Sequence, residues 1–146
     1  LKTVLGQLAY YVKGIEMLPK IRPTQVKISF EDEVIDEDIM LFILSNSNSV
    51  GGFEKLLPDA MLDDGYFDLI ILKKTSITDF ISLVASVIRG NHLKSDKVIY
   101  RRVKEVTIET EDHMQLNIDG EYGGLLPGKF VNLYQHIEFF VPKDYE

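Results

Sequence analysis

The chain has 146 residues, 45% of them hydrophobic and 27% charged, which is one domain's length with apolar material for a packed core and argues against disorder. It has no cysteine, so disulfide frameworks, thiolate zinc sites, iron–sulfur clusters and cysteine nucleophiles are excluded. Sixteen basic against 23 acidic residues give a net charge of −7, a poor match to a general nucleic-acid binder, and the longest apolar run, Ile39–Leu44, is far shorter than the ~20 residues of a membrane-spanning helix.

Leu1 to about Pro19 reads as an amphipathic helix. Val4, Leu5, Leu8, Val12, Ile15 and Leu18 recur at spacings of three and four, and Pro19 and Pro23 stop it. The chain opens directly in this helix with no capping residue, which predicts further chain before it; no basic-then-apolar secretory signal is visible. Val26, Ile28 and Phe30 then alternate with polar residues, as in a half-buried strand. Glu31–Asp38 packs six carboxylates into eight residues. It lacks the alternating ligands and turn glycine of a calcium loop, so a solvated loop between strands is expected. Met40–Leu44 is continuously apolar and predicts a central strand buried on both faces, and Phe67–Leu72 predicts a third.

A second helix is better marked. Ser76 followed by Asp79 resembles a capping box, Ile77, Phe80, Ile81, Val84 and Ile88 form one face, and Gly90 sits where a left-handed C-cap belongs. Short strands follow, over Val98–Tyr100, Val103–Glu109, Met114–Asp119, Phe130–Tyr134 and Ile137–Val141, with turns at Glu111–His113 and Pro127–Gly128. No repeat, linker or low-complexity segment interrupts the chain. The pattern predicts a single, mainly β domain over residues 1–146, with two helices and seven or eight strands built as a sandwich. Within it, Arg89, Lys94, Lys97, Arg101, Arg102 and Lys104 form a basic run around His92. Such a run on an acidic protein suits an anionic lipid surface, where each Lys or Arg is worth ~1 kcal/mol, or is simply a solvated loop and strand edge.

Three segments differ from generic core or loop. Ser45–Phe53 combines small hydroxyl and amide side chains with the Gly51–Gly52 pair, letting backbone approach a ligand, although strand exits are often rich in such residues for turn reasons alone. Pro58–Phe67 carries Asp63-Asp64-Gly65 into a strand. Successive residues of an extended chain point apart, so one carboxylate at most faces a given site. With nearby carbonyls and water it would make an oxygen shell for a hard cation such as magnesium; an Asp-Gly turn with exposed carboxylates explains the same pattern. In Asn117–Gly124, Asp119 and Glu121 lie two residues apart and would share a face of a regular strand, with the glycine pair behind leaving space for a bulky group. Paired carboxylates can divide the work of holding a metal or water and accepting a proton, while a polar hairpin turn again competes. There is no GxGxxG, no phosphate loop with lysine and no GxSxG elbow. His92, His113 and His136 lack metal-ligand spacing and are expected as surface or strand residues.

Together, Ser45–Gly52 running into Phe53-Glu54-Lys55-Leu56, then Pro58-Asp59-Ala60-x-Leu62-Asp63-Asp64-Gly65, then Asp119-Gly120-Glu121-Tyr122-Gly123-Gly124-x-x-Pro127, resemble the C-terminal domain of bacterial soluble diacylglycerol kinases, in the lipid kinase family related to NAD kinases. Ala9-Tyr10-Tyr11 through Gly14, Leu18-Pro19 and His136-Ile137 match the family's opening helix and close, so the resemblance covers essentially the whole chain. It implies the β-sandwich domain that closes the cleft of a two-domain enzyme. The family's Gly-Gly-Asp-Gly-Thr nucleotide motif does not occur in this sequence, so ATP would be bound mainly by an N-terminal domain absent from this chain.

By this resemblance the backbone oxygens of Met61 and Tyr66 and the side chain of Asp64 would bind magnesium. Asp119 would join a water-mediated network to that ion, and Glu121 would accept the proton of the lipid hydroxyl. The implied partners are diacylglycerol or a similar lipid and a membrane surface, met peripherally from the cytoplasmic face, with a homodimer left open. A kinase for another lipid alcohol and a non-catalytic lipid- or metal-binding β-sandwich are the competing readings. The second has little use for a carboxylate pair such as Asp119 and Glu121.

Overall fold

A computed structural model describes residues 22–48, 50, 56–138 and 140. Eight strands and one α-helix occur in it in the order β1 (Thr24–Phe30), β2 (Glu33–Ser45), β3 (Phe67–Lys73), α1 (Ile77–Ile88), β4 (Val98–Val103), β5 (Glu105–Glu109), β6 (Gln115–Ile118), β7 (Glu121–Leu125) and β8 (Gly128–Val131). A short 3-10 turn, His92–Lys94, links α1 to β4. Six strands form one antiparallel sheet in the order β4-β3-β2-β1-β5-β8, and β6 and β7 form a separate hairpin. The expected mainly β architecture is present; the expected first helix lies outside the described residues.

The six-stranded sheet is folded on itself, and β2 makes the fold. At about 3.3 Å per residue, a straight β2 would hold Glu33 some 36 Å from Leu44. Leu44 pairs with Leu69 of β3, and Leu69 pairs with Arg101 of β4. Yet Arg101 Nη2 donates to Glu33 Oε1 at 2.7 Å. The strand therefore bends back over its own sheet, at the register shift between Ile39 and Leu41. Such an irregularity bends a strand and tightens its twist. The enclosed face buries Val26, Ile28, Phe30, Ile35, Ile39, Leu69, Ile71, Val103, Val106 and Ile108, with Leu126 and the half-buried Met114 and Leu116 against them. This one-sheet closure produces the sandwich-like core.

The acidic run departs from expectation. Glu31 and Asp32 make the β1–β2 turn, Glu31 with φ 47, and Glu33 to Asp38 are strand. Ile35 and Ile39 of that stretch are buried, so its alternation buries apolar residues and gives the carboxylates partners. Glu37 meets Lys73 at 3.8 Å, Asp38 meets Lys74 at 3.7 Å and Asp36 accepts from Gln25. Met40–Leu44 is interior to the sheet but half-buried rather than covered on both faces.

Helix α1 starts as predicted: the Ser76 hydroxyl accepts from the Asp79 amide at 3.1 Å. It ends at Gly90, φ 73, with the Gly90 and Asn91 amides donating back to Val87 and Ser86. A left-handed residue there satisfies carbonyls that the helix would leave unpaired. Further on, β4 continues to Val103 and β5 begins at Glu105, so the break falls at Lys104. The predicted Phe130–Tyr134 strand is β8, which starts at Gly128 and stops at Val131. No strand occurs among the described residues of 137–141, and β7 was not anticipated.

Candidate functional site

Two turns carry the predicted site residues. The first enters β3. Asp64 Oδ1 accepts from the Tyr66 amide at 2.9 Å, and Gly65 between them has φ 78. A Cβ on Gly65 would lie 2.9 Å from Tyr134 Cδ2, so glycine is required twice, for the backbone conformation and for the ring packed against it. Asp64 is mostly sheltered, its side chain 14% exposed, whereas Asp63 and Met61 are exposed. The adjacent carboxylates thus differ in exposure, although they lie in a turn and not in the extended chain assumed from the sequence.

Basic residues of the β4 end cover this turn. Arg102 Nη2 donates to Asp64 Oδ2 in an ion pair, and its guanidinium carbon stands 4.8 Å from the centroid of the Tyr66 ring. Lys104 Nζ is 5.2 Å from the same centroid. Beneath them lies Asp68, fully buried and directly opposite Arg102 in the β3–β4 ladder. Tyr100 donates its hydroxyl to Asp68 Oδ1, while Asp68 Oδ2 is buried with no hydrogen-bond partner among the described residues. Burial first, and then the bond to Asp68 and its charge, push the Tyr100 hydroxyl well above its ordinary value; Arg102 pulls the other way. Arg102, Asp68, Tyr100 and Tyr134 were not singled out from the sequence as parts of this site. The one signal was an isolated aspartate, Asp68, inside the apolar run Phe67–Leu72.

Asp64 offers one oriented carboxylate, a donor of the kind a hard cation takes, and Met61 and Tyr66, whose backbone oxygens would complete the set, flank it in sequence. The second oxygen of Asp64 already accepts from Arg102.

The second turn is the tip of the β6–β7 hairpin. Asp119 and Gly120 have φ 51 and 97 and form a two-residue loop between the paired Ile118 and Glu121. Positive φ at both positions is the type I′ geometry that matches strand twist. The Asn117 side chain accepts from the Gly120 amide at 2.9 Å. The expectation that Asp119 and Glu121 share a face of one regular strand is therefore corrected: Asp119 sits in the turn and Glu121 opens β7. Both are exposed, and neither has an ion pair or side-chain hydrogen bond to a described residue. The space expected behind them is partly filled. A Cβ on Gly123 would lie 2.4 Å from Ile118 Cγ1, while Gly124, φ 103, faces open space where β7 carries one residue more than β6. Beside the tip Ile118 and Tyr122 are 54% and 69% exposed, apolar surface next to two exposed carboxylates. No hydrogen bond or ion pair joins the tip to the Asp64 turn among the described residues.

The other candidates divide. Ser45 and Ser47 close a local turn, the Ser47 amide donating to Ser45 Oγ at 3.1 Å, and most of 49–55 lies outside the described residues. His92 is not at the surface: it is buried, with Nε2 2.8 Å from the Leu56 carbonyl oxygen. His113 and His136 are exposed. In the basic run Arg101 is held by Glu33, Arg102 by Asp64 and Lys97 by Asp96 at 3.6 Å, whereas Arg89 and Lys94 are exposed and make no ion pair with a described residue.

Comparison with known proteins agrees with this fold. A model of the YegS C-terminal NAD kinase beta sandwich-like domain matches residues 1–141, and the chain belongs to that family. It is 53% identical over 144 residues to the diacylglycerol kinase of Bacillus subtilis (strain 168), covering 99% of this chain and 48% of that protein. To the diacylglycerol kinase of Staphylococcus saprophyticus it is 49% identical over 144 residues, covering 99% and 47%. The chain thus spans about half the length of the curated relatives it matches. A solved diacylglycerol kinase from Bacillus anthracis str. Sterne superposes with a TM-score of 0.65 at 25% identity, over 88% of this chain and 44% of that one. A further structure from the same organism gives 0.73 at 24% identity, over 86% and 43%.

Proposed function

We propose that this chain is the acceptor-side domain of an ATP-dependent diacylglycerol kinase, which transfers the γ-phosphoryl group of ATP to the free hydroxyl of diacylglycerol and forms phosphatidic acid. The observation that carries this reading is the 53% identity, over 144 of the 146 residues and through both turns, to a protein named diacylglycerol kinase. Nucleotide binding belongs to the part of the enzyme beyond this chain, because the sequence offers no glycine loop to cradle phosphates.

Glu121 is the proton acceptor in this reading. As the lipid oxygen bonds to phosphorus and the bond to the departing ADP breaks, the hydroxyl proton passes to its carboxylate. A general base of this kind contributes typically ~10²–10⁴-fold. Exposure at a hairpin tip, with no competing partner among the described residues, leaves Glu121 free to meet the lipid hydroxyl. Asp119 would join a water-mediated network to the magnesium ion, and the exposed Ile118 and Tyr122 beside the tip suit a substrate whose hydroxyl lies next to acyl chains. Asp64, with the backbone oxygens of Met61 and Tyr66, would hold magnesium, which when bound supplies positive charge near the phosphates.

The test is phosphorylation of diacylglycerol in mixed micelles by the full-length protein and labelled ATP, with ceramide and sphingosine as competitors. Labelled phosphatidic acid is the expected product. Labelled ceramide phosphate in its place would assign another lipid alcohol, and no labelled lipid from any acceptor would remove the kinase reading.

A further inference from the structure

We infer that Arg102 is the resident counter-ion of Asp64 at the cation site, and that a divalent cation entering there displaces it toward the buried Asp68 carboxylate. This deepens the magnesium reading above and rests on it.

Arg102 occupies what a cation at Asp64 would need. Asp64 Oδ1 is committed to the Tyr66 amide at 2.9 Å, and Oδ2 accepts from Arg102 Nη2. The guanidinium also covers the Tyr66 ring at 4.8 Å, so one side chain grips the residues on both sides of Gly65. A divalent ion and a guanidinium on one sheltered carboxylate repel each other, more strongly than they would in water. Binding must therefore move the arginine, and the question is where it goes.

The β3–β4 ladder supplies the second seat. Arg102 lies directly opposite Asp68, and direct cross-strand neighbours have Cβ atoms ~4.5–5.5 Å apart, well within an arginine's reach. Asp68 is fully buried; its Oδ1 takes the Tyr100 hydroxyl, and its Oδ2 has no partner among the described residues. An unpaired buried acceptor is costly, and a guanidinium that reaches it recovers part of that cost. Expulsion from Asp64 is thus coupled to satisfaction of Asp68. Lys104 remains on the Tyr66 ring at 5.2 Å and keeps the turn covered during the exchange. Arg102 is on this account a positioning residue: it holds the ligand carboxylate in place and sets the threshold for metal entry.

The test is calorimetric titration of the full-length protein with Mg²⁺ alone, without nucleotide or lipid. Arg102→Gln is expected to tighten binding, on the order of tenfold, because the competitor is gone. Arg102→Lys, which keeps the charge but loses the planar fork, should fall between it and the wild type, and serves if the Gln variant fails to fold. Asp68→Asn should weaken binding in the wild type and much less in the Arg102→Gln background, since only the wild type needs the second seat. Wild-type or weaker binding in Arg102→Gln, or an equal effect of Asp68→Asn in both backgrounds, would overturn the displacement. Asp64→Asn separates the two readings. If it leaves Mg²⁺ affinity unchanged, the cation is not at this turn and both readings fail. If it abolishes binding while Arg102 and Asp68 prove indifferent, only the displacement fails.

Discussion

Glu33, the first residue of β2, and Arg101, on the edge strand β4, meet in a bidentate ion pair: Arg101 Nε donates to Glu33 Oε2 at 2.9 Å and Nη2 to Oε1 at 2.7 Å. The pair fastens the folded-over end of the β1–β2 hairpin to the far edge of its own sheet. Its hydrogen bonds to Arg101 hold the Glu33 carboxyl below its ordinary value of 4.5. A lowered carboxylate contributes stability that is present above its unfolded value and lost as pH falls through the folded one. Both side chains are about two-fifths exposed, so solvent screens the pair, and Glu33→Gln should cost about 1 kcal/mol at pH 7. Urea unfolding at pH 7 and pH 3 checks this: the two proteins should differ at the first, and the difference should narrow towards the second. A difference that persists unchanged at pH 3 would contradict it.

Gly65→Ala tests the turn that shapes the cation site. The left-handed backbone, φ 78, costs an L-residue roughly 1–2 kcal/mol, and the added methyl also meets Tyr134. Chemical denaturation should show a loss of at least that size. Tyr134→Ala in the same background should recover only the packing share, so full recovery would locate the whole effect in the ring.

Asp64→Asn and Asp63→Asn should part company. Asp64 is sheltered and doubly engaged, whereas Asp63 is exposed. In the full-length enzyme the first should raise the magnesium concentration needed for half-maximal rate several-fold, and the second should leave it unchanged. Equal shifts would contradict the proposed ligand set.

Much of this fold was legible because its signals are local. The Ser76 cap, the Gly90 stop and the alternation of Val26, Ile28 and Phe30 need no distant partner to take effect. The acidic half of β2 was misread because its carboxylates are satisfied by residues remote in sequence, Lys73 and Arg101 among them. Strand β7 was hidden by Gly123 and Gly124, which normally weaken a strand but here admit the Ile118 side chain and a bulge. At the sites, Asp64 and Glu121 carried turn signatures of their own. Arg102 and Asp68 become partners only through strand pairing, and no spacing in the chain announces that.

The free cations of the basic run should govern membrane docking and not the chemical step. Arg89 and Lys94 make no ion pair with a described residue, and no described helix is long and apolar enough to cross a membrane. Replacing both by Gln should weaken binding to anionic vesicles about 30-fold at low salt, with a deficit that shrinks as screening shortens to ~3 Å at 1 M. Activity on soluble short-chain diacylglycerol should persist. Equal losses on soluble and vesicle substrates would assign the pair to catalysis or folding.

On the proposed mechanism Glu121, at the tip of the β6–β7 hairpin, takes the proton of the lipid hydroxyl. The most direct measurement is the single-turnover rate of phosphatidic acid formation by full-length Glu121→Gln beside the wild type, at saturating ATP, magnesium and diacylglycerol. An exposed position without partners should tolerate the change, so the melting temperature and Mg²⁺ affinity are expected to stay as they are while the rate falls by about 10²–10⁴. A rate within a few-fold of the wild type, in a protein that binds both substrates normally, would contradict the assignment.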